Sequence, residues 1–138
     1  MYPVEQEILV VDGDETARAL IAQTLVHQGF AVAAVADGNA ALHQIETKPF
    51  AMVIAEIRLP GTLDGLTTVR QARALQPRLK CLFTSRFAPS PRWCSDELDE
   101  FIAKPFDPRE LLGCVFELIE RDAAPQGAAA EHLGYCYA

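Results

Sequence analysis

Basic residues, long apolar runs and closely spaced cysteine pairs are all scarce in this chain of 138 residues. Twelve lysines and arginines stand against nineteen aspartates and glutamates. The resulting net charge of -7 argues against nonspecific binding to nucleic acid, which needs a basic surface. No apolar run is long enough to cross a bilayer, and the N-terminus lacks the pattern of a secretory leader. We therefore expect a cytoplasmic protein that binds neither membrane nor nucleic acid.

The four cysteines do not suggest a metal site. Cys81, Cys94, Cys114 and Cys136 form no C-x-x-C pair, and the three histidines lie far apart in the sequence. Zinc ligation therefore has little support. We expect Cys81 and Cys114 to be small core residues, and the other two to be incidental thiols.

Short apolar runs alternate with helical patterns along a chain of one-domain length that is 50% hydrophobic. The first helical pattern has apolar Ala17, Leu20, Ile21 and Leu25 on one face. Such alternation predicts an α/β fold with a doubly wound, five-stranded parallel sheet covered by helices on both sides. The predicted strands are Ile8–Val11, Phe30–Ala36, Ala51–Ile57, Lys80–Ser85 and Phe101–Ala103.

Helix boundary signals are clearest near the end of this pattern. Asp107, Pro108 and Glu110 offer an N-cap, a proline at the first helical position and a capping box for the last helix. Earlier, Asp37-Gly38 is typical of a turn that closes the second strand, and a short helix is predicted over Ala40–Thr47.

Two segments lack a regular pattern. Phe87–Glu100 contains two prolines, and we expect a long loop there, followed by one or two turns of helix from Pro91 through Leu98. Residues 123–138 are rich in alanine and without periodicity, so they are predicted to be a flexible tail behind a domain of residues 1–122.

Chemically useful residues follow four of the predicted strands. The strand ends carry Asp12-Gly13-Asp14, Glu56, Thr84-Ser85 and Lys104-Pro105. In a doubly wound sheet the binding site forms outside the carboxyl ends of the strands. Acids, a hydroxyl and an ammonium group are therefore expected to converge at one edge of the sheet.

The stretch from Ile8 to Asp122 resembles the receiver domain of bacterial two-component response regulators. The resemblance lies in Ile-Leu-Val-Val-Asp at 8–12, Leu-Pro-Gly-Thr-Leu-Asp-Gly-Leu at 59–66, Thr84-Ser85, and Phe-Ile-Ala-Lys-Pro-Phe at 101–106. It implies a flavodoxin-like sheet in the order 2-1-3-4-5. It also implies phosphorelay signalling through an acceptor aspartate and Mg²⁺. Because only sixteen residues follow Asp122, we expect no DNA-binding or enzymatic output domain.

The resemblance assigns roles to individual residues. Lys104 is the pocket lysine, before a cis peptide bond to Pro105. Thr84 is the hydroxyl that senses the phosphoryl group, and Phe101 is the aromatic switch. Asp12 is the first acid of the pocket.

Two departures from the family pattern affect the same reaction. Glu56 stands at the acceptor position, and its carboxylate reaches roughly 1.5 Å further than that of an aspartate. Gly13 stands where the second acid belongs, while Asp14 comes one residue late and is expected to point elsewhere. Mg²⁺ binding is therefore expected to be weak or absent, with Asp12, Glu56 and the backbone carbonyl of Arg58 as the candidate ligands.

The leading hypothesis is a stand-alone, atypical receiver that binds a histidine kinase, phosphotransferase or effector and has impaired phosphorylation. In this hypothesis Glu56 pairs with Lys104, accepts a hydrogen bond from Thr84 and imitates the phosphorylated state. The alternative is a working phosphoacceptor that uses Glu56 or a neighbouring aspartate with Mg²⁺. A more remote alternative is a flavodoxin-like ligand-binding enzyme, although no glycine-rich phosphate loop follows the first strand.

Plainer structural roles remain open for the same residues. Asp12 and Asp14 could be turn formers or helix caps, and Lys104 could simply hold a strand end through a salt bridge. Phe101 could be an ordinary core residue. Glu56 could be a neutral replacement. The oligomeric state is left open at this point.

Overall fold

The computed structural model of the protein describes residues 6–87 and 97–121. Strands and helices alternate in these ranges up to the fourth strand, which the fifth strand and the last helix follow. The elements are β1 (Glu7–Val11), α1 (Glu15–His27), β2 (Ala31–Val35), α2 (Gly38–Thr47), β3 (Met52–Glu56), α3 (Gly65–Leu75), β4 (Lys80–Ser85), β5 (Asp99–Ala103) and α4 (Pro108–Glu120).

All five strands are parallel and are ordered β2-β1-β3-β4-β5, as predicted. Successive side chains of a strand point to opposite faces of the sheet, so a strand that is buried on both faces must be apolar throughout. In β1, Ile8 and Val10 pack in the cluster that α1 and α4 cover, whereas Leu9 and Val11 pack in the cluster that α2 and α3 cover. The continuous apolar runs of the sequence thus fill two cores.

Each helix that the structure describes begins after an aspartate. The carboxylates of Asp14, Asp37, Asp64 and Asp107 each accept a hydrogen bond from a backbone N–H of the first turn. At α4 the predicted capping box is confirmed, because Glu110 Oε1 in turn accepts from Asp107 N at 3.0 Å. These caps satisfy N–H groups that have no partner within the helix.

Asp107→Ala is expected to lower the free energy of unfolding by about 1 kcal/mol, because α4 loses the carboxylate that accepts from Glu110 N at 2.9 Å. Urea unfolding followed by circular dichroism measures this change. Arg109→Ala on the same exposed turn is the matched control and should change stability by less than about 0.5 kcal/mol. An equal effect of the two substitutions would contradict the proposed contribution of the cap.

Two arginines hold the start of β5 from opposite sides. Arg73 of α3 donates to the carboxylate of Asp99, which is buried, and to the carbonyl of Leu79. Arg121, after α4, donates to the carbonyl of Asp99 at 2.8 Å and to Glu100 Oε2 at 2.8 Å. The position of β5 is therefore fixed by side chains of both helical layers.

Several local predictions need correction. Asp37-Gly38 is not a turn: Gly38 is the first residue of α2, and Asp37 caps the helix because its Oδ1 accepts from Ala40 N at 2.8 Å. Within the apolar pattern of α1, Ile21 and Leu25 are buried, whereas Leu20 is 46% exposed. β2 and β3 are each one residue shorter at both ends than predicted, whereas β5 begins two residues earlier, at Asp99.

Other predictions fall wholly or partly outside the described residues. The predicted tail lies outside them, and so does all of the predicted Pro91–Leu98 helix except Glu97 and Leu98, which form a turn before β5. Cys81 is buried, as predicted, whereas Cys114 is half-buried against the core, and burial raises the pKa of its thiol to about 11. Among the described helices, none is long and apolar enough to cross a membrane.

Candidate functional site

The predicted side chains meet at the carboxyl edge of the sheet. Glu56 and Thr84 are direct neighbours in the register of β3 and β4. Asp12 directly follows β1, which lies beside β3, and Lys104 directly follows β5. Asp12 and Thr84 are each only 1% exposed, whereas Glu56 and Lys104 are partly open to solvent. The site thus has a buried base, formed by Asp12 and Thr84, and an opening to solvent beside Glu56 and Lys104.

The ammonium group of Lys104 lies between two carboxylates. Its Nζ is 2.8 Å from Asp12 Oδ2 and 3.3 Å from Glu56 Oε2. Burial raises the pKa of the Glu56 carboxyl, the nearby Asp12 raises it further, and Lys104 acts in the opposite direction. A single cation therefore serves two neighbouring acids, and Glu56 is the one that is protonated more easily than an exposed glutamate.

Asp12 is held in place at both its side chain and its backbone. Its Oδ1 accepts from Asp14 N at 2.9 Å, and its carbonyl accepts from Arg18 Nη1 at 2.7 Å. The side chain of Asp14 caps α1 by accepting from Ala17 N at 3.1 Å. Asp14 therefore has the predicted capping role.

The predicted hydrogen bond from Thr84 to Glu56 is wrong. Thr84 Oγ1 is fully buried and bonds to no described residue. The Glu56 carboxylate is instead engaged by Lys104, the strongest donor within its reach. The sequence located the hydroxyl correctly beside Glu56 but could not predict which donor the longer side chain would select.

Two glycines allow close contacts around Glu56. A Cβ at Gly13 would lie 2.7 Å from Pro60 Cδ, so the loop after β1 approaches the proline more closely than a side chain permits. A Cβ at Gly65 would lie 2.2 Å from the carbonyl oxygen of Glu56. The N–H of Gly65 also donates to the carbonyl of Ile57 at 2.7 Å, which anchors the start of α3 behind the site.

The remaining predicted residues surround this centre. Arg58 is exposed, with its guanidinium 4.9 Å from the ring centroid of Phe87. Phe101 is half-buried and packs against the core cluster beneath α2 and α3. The Lys104–Pro105 peptide bond is cis, as the resemblance implied. The structure thus places Phe101 at the margin of this core, and its role as a switch stays a prediction.

Sequence reasoning missed the residues that form a hollow of about 490 Å³ beside Glu56 and Lys104. Arg86 lies on its rim, and Leu20, Ile21 and Phe106 contribute apolar wall. Arg86 and Phe106 follow the strand-end pairs Thr84-Ser85 and Lys104-Pro105 by one residue. Their position directly after these pairs could have identified them, because loops at this edge of the sheet line the binding site.

The donor set fits a divalent cation poorly. In residues 6–87 and 97–121 no group of three His, Cys, Asp or Glu side chains could hold a metal ion. Asp12 has one carboxylate oxygen on Lys104 and the other on the N–H of Asp14. Gly13 contributes no carboxylate, so Glu56 and the carbonyl of Arg58 would be the remaining ligands, and waters would have to complete the octahedral sphere that Mg²⁺ demands.

Comparison with known proteins gives a consistent result. The profile of the response regulator receiver domain matches residues 8–116. Protein PetR of Rhodobacter capsulatus is 31% identical over 128 residues, which cover 91% of this chain and 54% of PetR. The alkaline phosphatase synthesis transcriptional regulatory protein PhoP of Bacillus subtilis is 31% identical over 127 residues, covering 88% and 52% of the two chains. The chain thus spans about half the length of these curated relatives.

Solved structures agree with this assignment. A CheY-like response regulator receiver domain protein from Methanospirillum hungatei superposes with a TM-score of 0.74 at 27% identity, covering 86% of this chain and 97% of that one. A putative response regulator from Chloroflexus aurantiacus gives 0.71 at 29% identity, with coverage of 83% and 97%. The strand order, the convergence of Asp12, Thr84 and Lys104, and these matches together show that the chain belongs to the response regulator receiver domain family of two-component signalling.

Proposed function

We propose that this chain is an atypical receiver: a non-enzymatic protein-interaction module in which Glu56 replaces the phosphoacceptor aspartate and phosphorylation is impaired or absent. The observation that carries the proposal is the contact of 3.3 Å between Glu56 Oε2 and Lys104 Nζ. In the family a lysine at this position neutralises the phosphoryl group. A carboxylate that already occupies this lysine imitates a phosphorylated acceptor, with less charge than a phosphate.

The geometry also opposes acyl phosphate formation on Glu56. Transfer of a phosphoryl group requires the attacking oxygen to be aligned with the donor, and a displacement of about 1 Å can slow a reaction by about 100-fold. Glu56 is one methylene longer than an aspartate, and its carboxylate is tied to Lys104. We further propose that Mg²⁺ binds weakly or not at all, because Lys104 already pairs with an oxygen of each acid and position 13 contributes no carboxylate.

The expected partner is a histidine kinase, a phosphotransferase or a downstream effector, met in the cytoplasm. The proposed contact surface lies near Phe101 and along α4. One observation favours the second candidate, a working phosphoacceptor: the buried hydroxyl of Thr84 bonds to no described residue and is available to a phosphoryl oxygen. The two candidates differ in whether a covalent adduct forms.

Acetyl phosphate with Mg²⁺ is expected to leave the mass of the wild-type protein unchanged, because Glu56 is misplaced for attack. Intact-mass spectrometry detects an acid-labile increase of about 80 Da if an acyl phosphate forms. A stoichiometric adduct on the wild type would end the proposal in favour of the working phosphoacceptor. Glu56→Gln and Asp12→Asn would then show which carboxylate carries it.

A further inference from the structure

The two edges of the sheet differ in how their outward backbone groups are satisfied. β2 and β5 are the edge strands. Along a strand, successive residues direct their N–H and C=O groups to alternate sides. The carbonyl of Val35 accepts from Asp12 N, so Ala31, Ala33 and Val35 face β1, and Val32 and Ala34 face outward. By the same reasoning, the bond from Lys104 N to the carbonyl of Ser85 makes Asp99, Phe101 and Ala103 the outward residues of β5.

The β5 edge is capped by charged side chains. Arg121 Nη1 donates to the outward carbonyl of Asp99 at 2.8 Å. Glu100 Oε1 accepts from the outward N–H of Phe101 at 3.2 Å. A charged side chain on an edge is a common means of preventing another strand from pairing with it. This edge of the sheet is therefore closed to strand addition.

The β2 edge has no comparable protection. Residues 30–36 read Phe-Ala-Val-Ala-Ala-Val-Ala, without a charge or a proline. In the described residues β1 is the one strand that pairs with β2, and no side chain caps the outward groups of Val32 and Ala34. Ala34 is exposed, and its methyl group leaves the backbone accessible. Such an edge is a template for pairing with another strand.

We propose that β2 pairs with β2 of a second copy of this chain, antiparallel across a two-fold axis at Ala33. In this register Val32 lies opposite Ala34 of the second copy, and the two exchange both backbone hydrogen bonds. Ala33 lies opposite its own counterpart, and Ala31 lies opposite Val35. Each valine thus meets an alanine, so a larger side chain packs beside a smaller one in every mixed pair. The outward groups of Val32 and Ala34 are those that this pairing needs.

Charge determines how strong the pairing is and how it responds to salt. Each copy has a net charge of -7, so two copies repel each other at low ionic strength. The paired strands themselves carry no charge, so added salt screens the repulsion without weakening the contact. A pair of short strands buries less than the roughly 1,200 Å² of standard interfaces, so the dimer is expected to be weak and dependent on concentration.

Sedimentation analysis of the full chain over a concentration series tests the proposal. The wild type should show a monomer–dimer equilibrium that shifts toward dimer between low and moderate salt. Ala34→Pro removes an outward N–H that does not face β1, a change that edge strands tolerate. It should weaken dimerisation by about tenfold or more, because two symmetric hydrogen bonds are lost. Ala34→Thr, which keeps the N–H and suits a strand, is the matched control and should dimerise like the wild type.

Amide hydrogen exchange locates the interface and keeps the test decisive if Ala34→Pro folds poorly. On raising the wild-type concentration, exchange at Val32 and Ala34 should slow, while exchange at Ala33 should stay slow throughout because its N–H faces β1. A monomer at all concentrations and salt conditions would overturn the proposal. So would a dimer that Ala34→Pro leaves intact, or one in which Val32 and Ala34 exchange as fast as in the monomer.

Discussion

Glu56→Asp should give the protein measurable phosphorylation by acetyl phosphate, and a second acid at position 13 should increase it by roughly 100-fold once its space is provided. Shortening residue 56 withdraws the carboxylate from Lys104 and restores the reach of an aspartate. Gly13→Asp supplies the missing carboxylate, but its Cβ would lie 2.7 Å from Pro60 Cδ. The order of rates should therefore be wild type, then Glu56→Asp, then the double variant, then the triple variant that adds Pro60→Ala.

The rates are measured by intact mass over time at several Mg²⁺ concentrations. Glu46→Asp, the same change at an exposed position of α2, should leave the wild-type behaviour unchanged. Gly13→Ala in the wild type reports the steric cost alone. Equal labelling of wild type and Glu56→Asp would show that the length of residue 56 does not limit the reaction. A folded triple variant without any adduct would show that the defect lies outside these three positions.

Gly65→Ala should lower the free energy of unfolding by roughly 3 kcal/mol or more, the largest stability effect that we expect of a single methyl group here. The new Cβ would lie 2.2 Å from the carbonyl oxygen and 2.9 Å from the carbonyl carbon of Glu56. Both are backbone atoms at the end of β3, the central strand, so neither can rotate away. The start of α3 would have to move, and its bond from Gly65 N to the carbonyl of Ile57 would break.

Urea unfolding measures this loss of stability, and Gly113→Ala is a control for which we expect a change of opposite sign. Gly113 lies inside α4 with nothing within 4 Å of an added Cβ, so alanine there should stabilise the protein by about 0.5–1 kcal/mol. If both substitutions stabilised the protein, the close approach of Gly65 to β3 would be wrong.

The sequence predicted the elements of the fold more completely than it predicted the interactions within the site. Apolar runs such as Ile8–Val11 and the capping box at Asp107 are local signals that predicted individual elements, whereas the strand order was implied by the resemblance alone. The boundaries of β2 and α2 were less accurate, since Asp37-Gly38 fits both a turn and a cap, and the bond from Ala40 N to Asp37 Oδ1 identifies it as a cap. Gly38 also lies in close contact with Thr68 of α3. Gly38 and Thr68 are thirty positions apart, so neither segment alone predicts their contact.

At the site, the sequence identified which residues meet but not how they share hydrogen bonds. Asp12, Glu56 and Lys104 come together as predicted, whereas the hydroxyl of Thr84 does not bond to Glu56. Which donor bonds to a carboxylate depends on differences of about an ångström in side-chain reach. The periodicity of apolar residues in the sequence does not reveal such differences. The contact between Gly13 and Pro60 was likewise hidden, because it depends on the path of two loops.

The two arginines that fix β5 have a practical consequence for protein engineering. Because Arg73 and Arg121 hold Asp99 and Glu100 directly, the strand does not depend on the preceding connection for its placement. Lengthening a connection between two fixed ends costs little, about 0.6 kcal/mol for each doubling. A change in chain length between β4 and β5 is therefore expected to leave β5 in register with β4.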